Sequence, residues 1–533
     1  MQYLSTRGGE DRLTFEDAVL TGLAPNGGLY IPEQVPALPA DWQSAWADAS
    51  FVDLSVNILS LFIPESEAEG GIPRKDLRAL VEKSYASFRT PEVTPLRRLT
   101  DQTWCLELWH GPTFAFKDVA LQLLGNLFEY FLARRNARDG QTSAHTITVL
   151  GATSGDTGSA AIAGLRSKAN VHIFILHPDG RVSPIQEAQM TTVLDENVHN
   201  LAVDGTFDDC QDVVKALFSD REFNGKHHLG AVNSINWARI LSQIVYYFSA
   251  FFALRRMRPD TAMDEVEYIV PTGNFGDILA GYYAKRLGLP MRRLVVATNE
   301  NDILQRFFTS GTYEKLTGEH GGVHATLSPA MDIQVSSNFE RLLWHLVHDT
   351  ATQAGAAEPD AARTAGDTVA AWMQQLKATG RIAVSPEQFA LAKRDFVAER
   401  VSDPETRATI RRYFESERES TSYLLDPHTA VGFEAADRLI QHNSPAQTQV
   451  VLSTAHPAKF AEAVISSIAA QGDEAQATRL FNEKVLPPEM HGLLERERRV
   501  THVRPADTQA QGDHLHKLIA RTKEVIEQQG FHA

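Results

Sequence analysis

One local pattern recurs along most of this chain: a short apolar strand, a turn rich in glycine and hydroxyl residues, then a helix. "HTITVLGATSGDTGSAAIAGL" (145–165) reads this way, as does "VEYIVPTGNFGDILAGYYAKRLG" (266–288). "NVHIFIL" (170–176) adds a strand, and "RRLVVATNEND" (292–302) and "QTQVVLSTAHPAKFAEAVISSI" (447–468) repeat the pattern. Strands alternating with helices imply an α/β protein on open parallel sheets, with ligands at the carboxyl ends of the strands.

At 533 residues the chain exceeds one simple domain, and two or three are expected. Residues 1–95 precede the rhythm and form an N-terminal unit around the turn-rich "GLAPNGGLYIPEQVP" (22–36). The βα region runs over 96–485. Within it, about 336–420, charged, Ala-rich sequence predicts a helical insertion in the second lobe. Residues 486–533 read as a C-terminal helical segment ending in the amphipathic "LHKLIARTKEVIEQQG" (515–530).

A formal net charge of −16 argues against a nucleic-acid or membrane-surface partner, because binding to phosphate surfaces runs on clustered Lys and Arg. No apolar run reaches the ~20 residues that span a bilayer, and "MQYLSTRGGEDRLTF" (1–15) lacks a signal-peptide core. Two cysteines, Cys105 and Cys210, fit a reducing compartment, with one disulfide left open. A cytoplasmic protein is expected. His172, His177, His227 and His228 lack zinc-ligand spacing, so no metal is expected.

Two glycine turns open helices directly after strands: Gly151–Ala161 and Pro271–Asp277. Such turns aim backbone N–H groups at an anion. Neither is followed by GK[ST], and Gly151, Gly155 and Gly158 miss the GxGxxG spacing, so nucleotide-binding fingerprints are absent. In "HGPTFAFKD" (110–118), Lys117 begins a helix whose apolar stripe runs Phe116, Val119, Ala120, Leu123, Leu124, Leu127, Phe128, Phe131 and Leu132. A helix N-terminus and apolar neighbours both disfavour an ammonium, so this lysine should titrate low and act as an amine nucleophile. A reactive lysine beside anion-binding turns fits pyridoxal phosphate.

"HGPTFAFKD", "GATSGDTGSAA", "NSINWARI", "PTGNFGD", "TLSPAMDIQVSSNFERL" and "STAHPAKF" together resemble the threonine synthase family, in its longer, fungal-type branch. The resemblance implies fold type II of the pyridoxal-phosphate enzymes: two open twisted α/β lobes with the cofactor between them. It also implies conversion of O-phospho-L-homoserine and water to L-threonine and phosphate, by a monomer or homodimer. By the same resemblance Lys117 is the Schiff-base lysine, and Gly273, Asn274, Phe275, Gly276 and Asp277 cup the cofactor phosphate, chiefly through backbone N–H groups. Thr153, Ser154, Gly155 and Thr157 resemble the substrate-carboxylate loop, while Asn233, Ser234, Asn236 and Arg239 resemble the grip on the substrate phosphate. Thr454, or Ser453 beside it, faces the pyridine nitrogen. Asp156 stands where many fold-type-II enzymes carry Asn against the cofactor's phenolic oxygen, and an ionised carboxylate would repel a phenolate unless a proton is shared. Three rival readings stand beside this one: a fold-type-II lyase for another amino acid or phosphorylated hydroxy-amino acid, a silent binding protein, and a nucleotide-binding regulator using "GATSGDTG", which the missing fingerprint weakens.

Overall fold

Two sheets carry the βα units of the computed structural model, which describes residues 1–316, 321–416, 422–442, 447–469 and 473–531. Strands are numbered along the chain. The larger sheet joins β13 (Phe396–Arg400), β10 (Arg293–Thr298), β9 (Glu267–Pro271), β14 (Gln449–Leu452), β4 (Thr103–Leu106) and β3 (Leu96–Arg98), in that order. The smaller joins β15 (Thr501–Val503), β7 (Val198–Val203), β6 (Val171–Pro178), β5 (Ile147–Ala152) and β8 (Leu229–Ala231). Every neighbouring pair in both runs parallel except the β3–β4 edge. Strands such as "LVVAT" and "QVVL" are buried along their length, as parallel strands covered on both faces must be.

Two expected segments are corrected. The stretch 336–420 is mostly helical, with Phe339–Gln353, Glu358–Thr379, Pro386–Asp395 and Asp403–Phe414, but it also supplies β13. It therefore completes an edge of the larger sheet as well as inserting helices. The C-terminal segment likewise contributes β15, paired with β7, before its final helix His514–Gln529. Both strands are short and sit in charged sequence, so no alternation marked them. Residues 417–420 and 532–533, at the ends of those two segments, lie outside the described residues.

Residues 1–95 pack on the lobes through a shared core. β1 (Tyr3–Ser5) pairs antiparallel with β2 (Tyr30–Pro32), and the Tyr3 ring meets Phe15 and Trp237. A Ser50–Asp53 capping box starts the helix Phe51–Phe62. Thr6 and Arg7 bond to Glu340, and the buried Arg341 guanidinium donates to the carbonyls of Tyr30 and Ile235. An antiparallel pair, β11 (Thr312–Glu314) with β12 (Arg381–Ala383), closes the periphery. Cys105 and Cys210 are both free and buried.

The lobes meet through two helices. Lys117–Arg138 follows β4 of the larger sheet, and Asp156–Leu165 follows β5 of the smaller. They cross at Gly125 and Gly164: a Cβ on Gly125 would lie 1.9 Å from the Gly164 carbonyl oxygen, and one on Gly164 would lie 2.4 Å from that of Leu121. Backbone thus rests on backbone. That close approach puts the two helix N-termini, with Lys117 and Asp156, side by side.

Candidate active site

The loop that delivers Lys117 is folded by its own neighbour. Asp118 accepts from the Thr113 N–H (2.8 Å) and the Thr113 hydroxyl (2.7 Å), drawing residues 113–118 into a tight bend. Phe114 takes a left-handed conformation there (φ 62°). The bend is tied to the exit of β14: the Phe116 N–H donates to the Thr454 carbonyl (2.8 Å) and the His456 N–H to that of Phe114 (2.9 Å). Lys117 ends 8% exposed, with its Nζ 5.5 Å from the Phe116 ring centre. Burial pulls the ammonium down to about 8; Asp156 opposes this, while Lys459 and Arg239 add to it. The amine is therefore partly neutral near neutral pH.

Asp156 is the first residue of its helix and lies between two lysines. Its Oδ2 is 3.9 Å from Lys117 Nζ, and its Oδ1 is 3.1 Å from Lys459 Nζ. Gln186 Nε2 also donates to Oδ1 (2.9 Å). Burial alone would push this carboxyl up, but Lys459 and Lys117 more than offset that and hold it well below the usual carboxylate range. Asp156 is thus a fixed anion. Lys459 and Gln186 were missed in the sequence, although "PAKF" sets a lysine among apolar residues at a strand exit much as "FAFK" does.

After β9, the turn Gly273–Gly276 opens the helix Gly276–Leu287. Phe275 sits at its N-cap in a left-handed conformation (φ 62°) with no side-chain cap. Its ring packs in the aromatic core against Phe339 and Phe396, so only its backbone faces the site. The turn's carbonyls are strapped from the far side: Ser336 Oγ donates to the Gly273 carbonyl (2.7 Å), and Asn338 Nδ2 to that of Asn274 (3.0 Å). The N–H groups of 274–277 donate to no acceptor among the described residues. Gly273 leaves no room for a side chain, since a Cβ would lie 2.8 Å from the Ala330 carbonyl. The Asp277 carboxyl receives the hydroxyls of Tyr246 and Tyr247. Burial raises it to about 7, against those two hydrogen bonds.

Arg239, on the helix Trp237–Met257, is 3% exposed. Its Nη1 donates to the Val232 carbonyl (2.8 Å), its Nε has no partner, and it meets no carboxylate among the described residues. Burial lowers it to about 10. An unpaired buried guanidinium is costly unless an anion arrives.

The remaining sequence-singled residues divide. Ser234 lies beside Gly276, where a Cβ would come within 3.8 Å of its own. Asn233 is exposed at the same end of the helix. Asn236 is fully buried: its Oδ1 caps the helix Trp237–Met257 by accepting from the Ala238 N–H, and its Nδ2 donates to the Val19 carbonyl. Thr153 Oγ1 accepts from the N–H groups of Gly155 and Gly158. Gly155 (φ 138°) packs so closely on Gln186 that only glycine fits. Ser154 and Thr157 stay half-buried at the turn surface. Ser453 Oγ accepts from the Leu108 N–H (2.9 Å), whereas the Thr454 hydroxyl has no partner among the described residues. Thr454 is itself held by Thr429, whose hydroxyl accepts from the Thr454 N–H and donates to Asp426.

Family models match most of the chain: "Threonine synthase N terminus" over residues 2–85, "Pyridoxal-phosphate dependent enzyme" over 88–386, and "Threonine synthase, C-terminal" over 429–514. A threonine synthase of Schizosaccharomyces pombe is 54% identical over 505 residues, covering 93% of this chain and 94% of that one.

The chain belongs to the threonine synthase family.

The crystal structure of a threonine synthase from yeast superposes with a TM-score of 0.88 at 47% identity, covering 99% of this chain and 98% of that one. A pyridoxal-phosphate-bound threonine synthase from Brucella melitensis gives 0.82 at 41% identity, covering 99% of each chain. Membership makes this chain a pyridoxal-phosphate-dependent lyase of fold type II. The residues fit the cofactor: a low-titrating buried amine, an uncapped helix start preceded by Gly273 where no Cβ could stand, and an unpaired guanidinium. No helix among the described residues is long and apolar enough to cross a membrane.

Proposed function

We propose that this member of the family makes L-threonine and phosphate from O-phospho-L-homoserine and water, by γ-elimination and β-addition, as the last step of threonine biosynthesis. The observation that carries the reading is Lys117, an amine titrating at about 8 that shares its surroundings with the unpaired cation Arg239. An aldehyde needs the first, and a phosphorylated substrate needs the second.

Lys117 would attach the cofactor, and the N–H groups of Asn274, Phe275, Gly276 and Asp277 would hold its phosphate at the helix start. Thr454, with its free hydroxyl, would meet the pyridine nitrogen. When bound, pyridoxal phosphate supplies the electron sink. A neutral hydroxyl at that nitrogen, rather than a carboxylate, favours elimination and replacement over transamination. Arg239 and Ser234, with Asn233 at the rim, would orient the substrate phosphate, while Ser154, Thr157 and the N–H groups of 154, 156 and 157 would take its carboxylate. Freed for proton transfer, Lys117 takes the Cα proton, passes it on, and then takes the Cβ proton as phosphate leaves Cγ. It gives that proton to Cγ; water then bonds to Cβ, its released proton matching the one the departed phosphate takes up, and the Cα proton is returned. We place the enzyme in the cytoplasm, as a monomer or homodimer.

Product analysis with O-phosphohomoserine tests the reading. L-Threonine with one equivalent of phosphate is expected; 2-oxobutyrate as the main product would overturn it in favour of another lyase.

A further inference from the structure

Lys459 is the most completely buried cation beside the reactive amine, and the chemistry above does not use it. It lies on the turn Pro457–Phe460 after β14, in the larger sheet's lobe, while Asp156 comes from the smaller sheet. Its ammonium donates to the Thr113 carbonyl (2.9 Å) and Ser159 Oγ (3.3 Å) and forms an ion pair with Asp156 Oδ1 at 3.1 Å. With Gln186, Lys459 loads one oxygen of the carboxylate. The other oxygen points to Lys117 at 3.9 Å, beyond hydrogen-bond reach.

We propose that Lys459 is a positioning residue for Lys117: it ties the Asp156 carboxylate back across the lobe boundary and keeps it from closing on the Lys117 amine. Without the tie, a buried aspartate facing a buried lysine would form a direct pair and hold the amine charged. With it, one carboxylate is shared by two ammonium groups, and the excess positive charge is relieved at Lys117. The other charges facing Lys117 are Asp118, which favours the ammonium but is committed to Thr113, and Arg239, which disfavours it. His428 adds to the field on Asp156; its Nδ1 lies 3.0 Å from Asp426, and its Nε2 accepts from the Ala330 N–H.

The inference rests on Lys117 being the reactive amine, but its test needs no turnover. The full-length chain, freed of cofactor, is treated with cyanate between pH 6 and 10, and carbamylation is read peptide by peptide by mass spectrometry. Exposed Lys75 serves as the internal control. In the wild type, a titration of Lys117 below that of Lys75 supports the reading of Lys117 itself. In Lys459→Met, Lys117 should titrate higher, slowing its modification at pH 7 at least about fivefold relative to Lys75. Asp156→Asn should move it the opposite way and speed modification, because the anion is lost while Lys459 remains. Lys459→Arg should stay within about twofold of the wild type. A merely structural role would shift both charge-removing variants in one direction. Equal or faster modification in Lys459→Met overturns the proposal. Should that variant fail to fold, slower modification in Asp156→Asn overturns it instead.

Discussion

The turn after β5 and the turn after β9 share one plan, strand to glycine bend to helix, yet they treat their helix N-termini differently. After β5, Thr153 Oγ1 takes the N–H groups of Gly155 and Gly158, and Asp156 is bound to Lys459 and Gln186. That turn answers part of its own N–H set, leaving those of 154, 156 and 157 without an acceptor among the described residues. After β9 the N-cap is Phe275, whose ring is buried in the core, and the carboxyl that follows is drawn away to Tyr246 and Tyr247. Straps from Ser336 and Asn338 hold the carbonyl side, leaving the donors open. A glycine turn thus offers an anion only those N–H groups that nothing in the chain has already answered.

The largest effect belongs to Lys117, the amine beside Asp156 of the first turn. Lys117→Ala should abolish covalent cofactor attachment and cut threonine formation by at least about a thousandfold, the scale of a lost nucleophile and proton carrier. Borohydride reduction of the wild type should fix the cofactor on the peptide containing residue 117; label on another lysine would refute the assignment.

Arg239→Ala should lower kcat/KM about tenfold to 150-fold, the equivalent of a lost charge-assisted hydrogen bond of roughly 1.5–3 kcal/mol. Arg239→Lys should recover part of it, because the planar fork is lost. A change below about threefold would show that Arg239 does not hold the substrate phosphate.

The two turns can then be set against each other. Gly273→Ala forces a methyl toward the Ala330 carbonyl and should weaken cofactor affinity about tenfold, ~1.4 kcal/mol, as read by equilibrium dialysis. Thr153→Val removes the internal cap of the other turn. It should cost about 1 kcal/mol of stability in denaturant titration while cofactor affinity changes less than about twofold. If both variants act alike on cofactor binding, the distinction between the two turns fails.

Much of this site was legible because its signals are local. Lys117 announces itself by a cation inside an apolar helix start, and the two turns by glycines after strands. Asn236 is ambiguous in the sequence because a polar residue just before an apolar helix can be a ligand group or a cap, and spacing does not choose between them. Lys459 escaped because its partner is 303 positions away in sequence, in the other lobe, and an ion pair leaves no periodic trace. β13 and β15 escaped for a related reason: each is short, and its pairing is decided by a sheet edge formed elsewhere in the chain.

The glycine crossing between the two lobe-bearing helices carries a warning for anyone stabilising this protein by design. Replacing a helical glycine with alanine ordinarily gains close to 1 kcal/mol, and such positions are routine targets. At Gly125 and Gly164 the obstacle to a new methyl is a carbonyl of the opposing main chain, not a side chain that could be trimmed. No second substitution makes room there. Either change would wedge the helices apart at the crossing and carry the Lys117 amine away from Asp156.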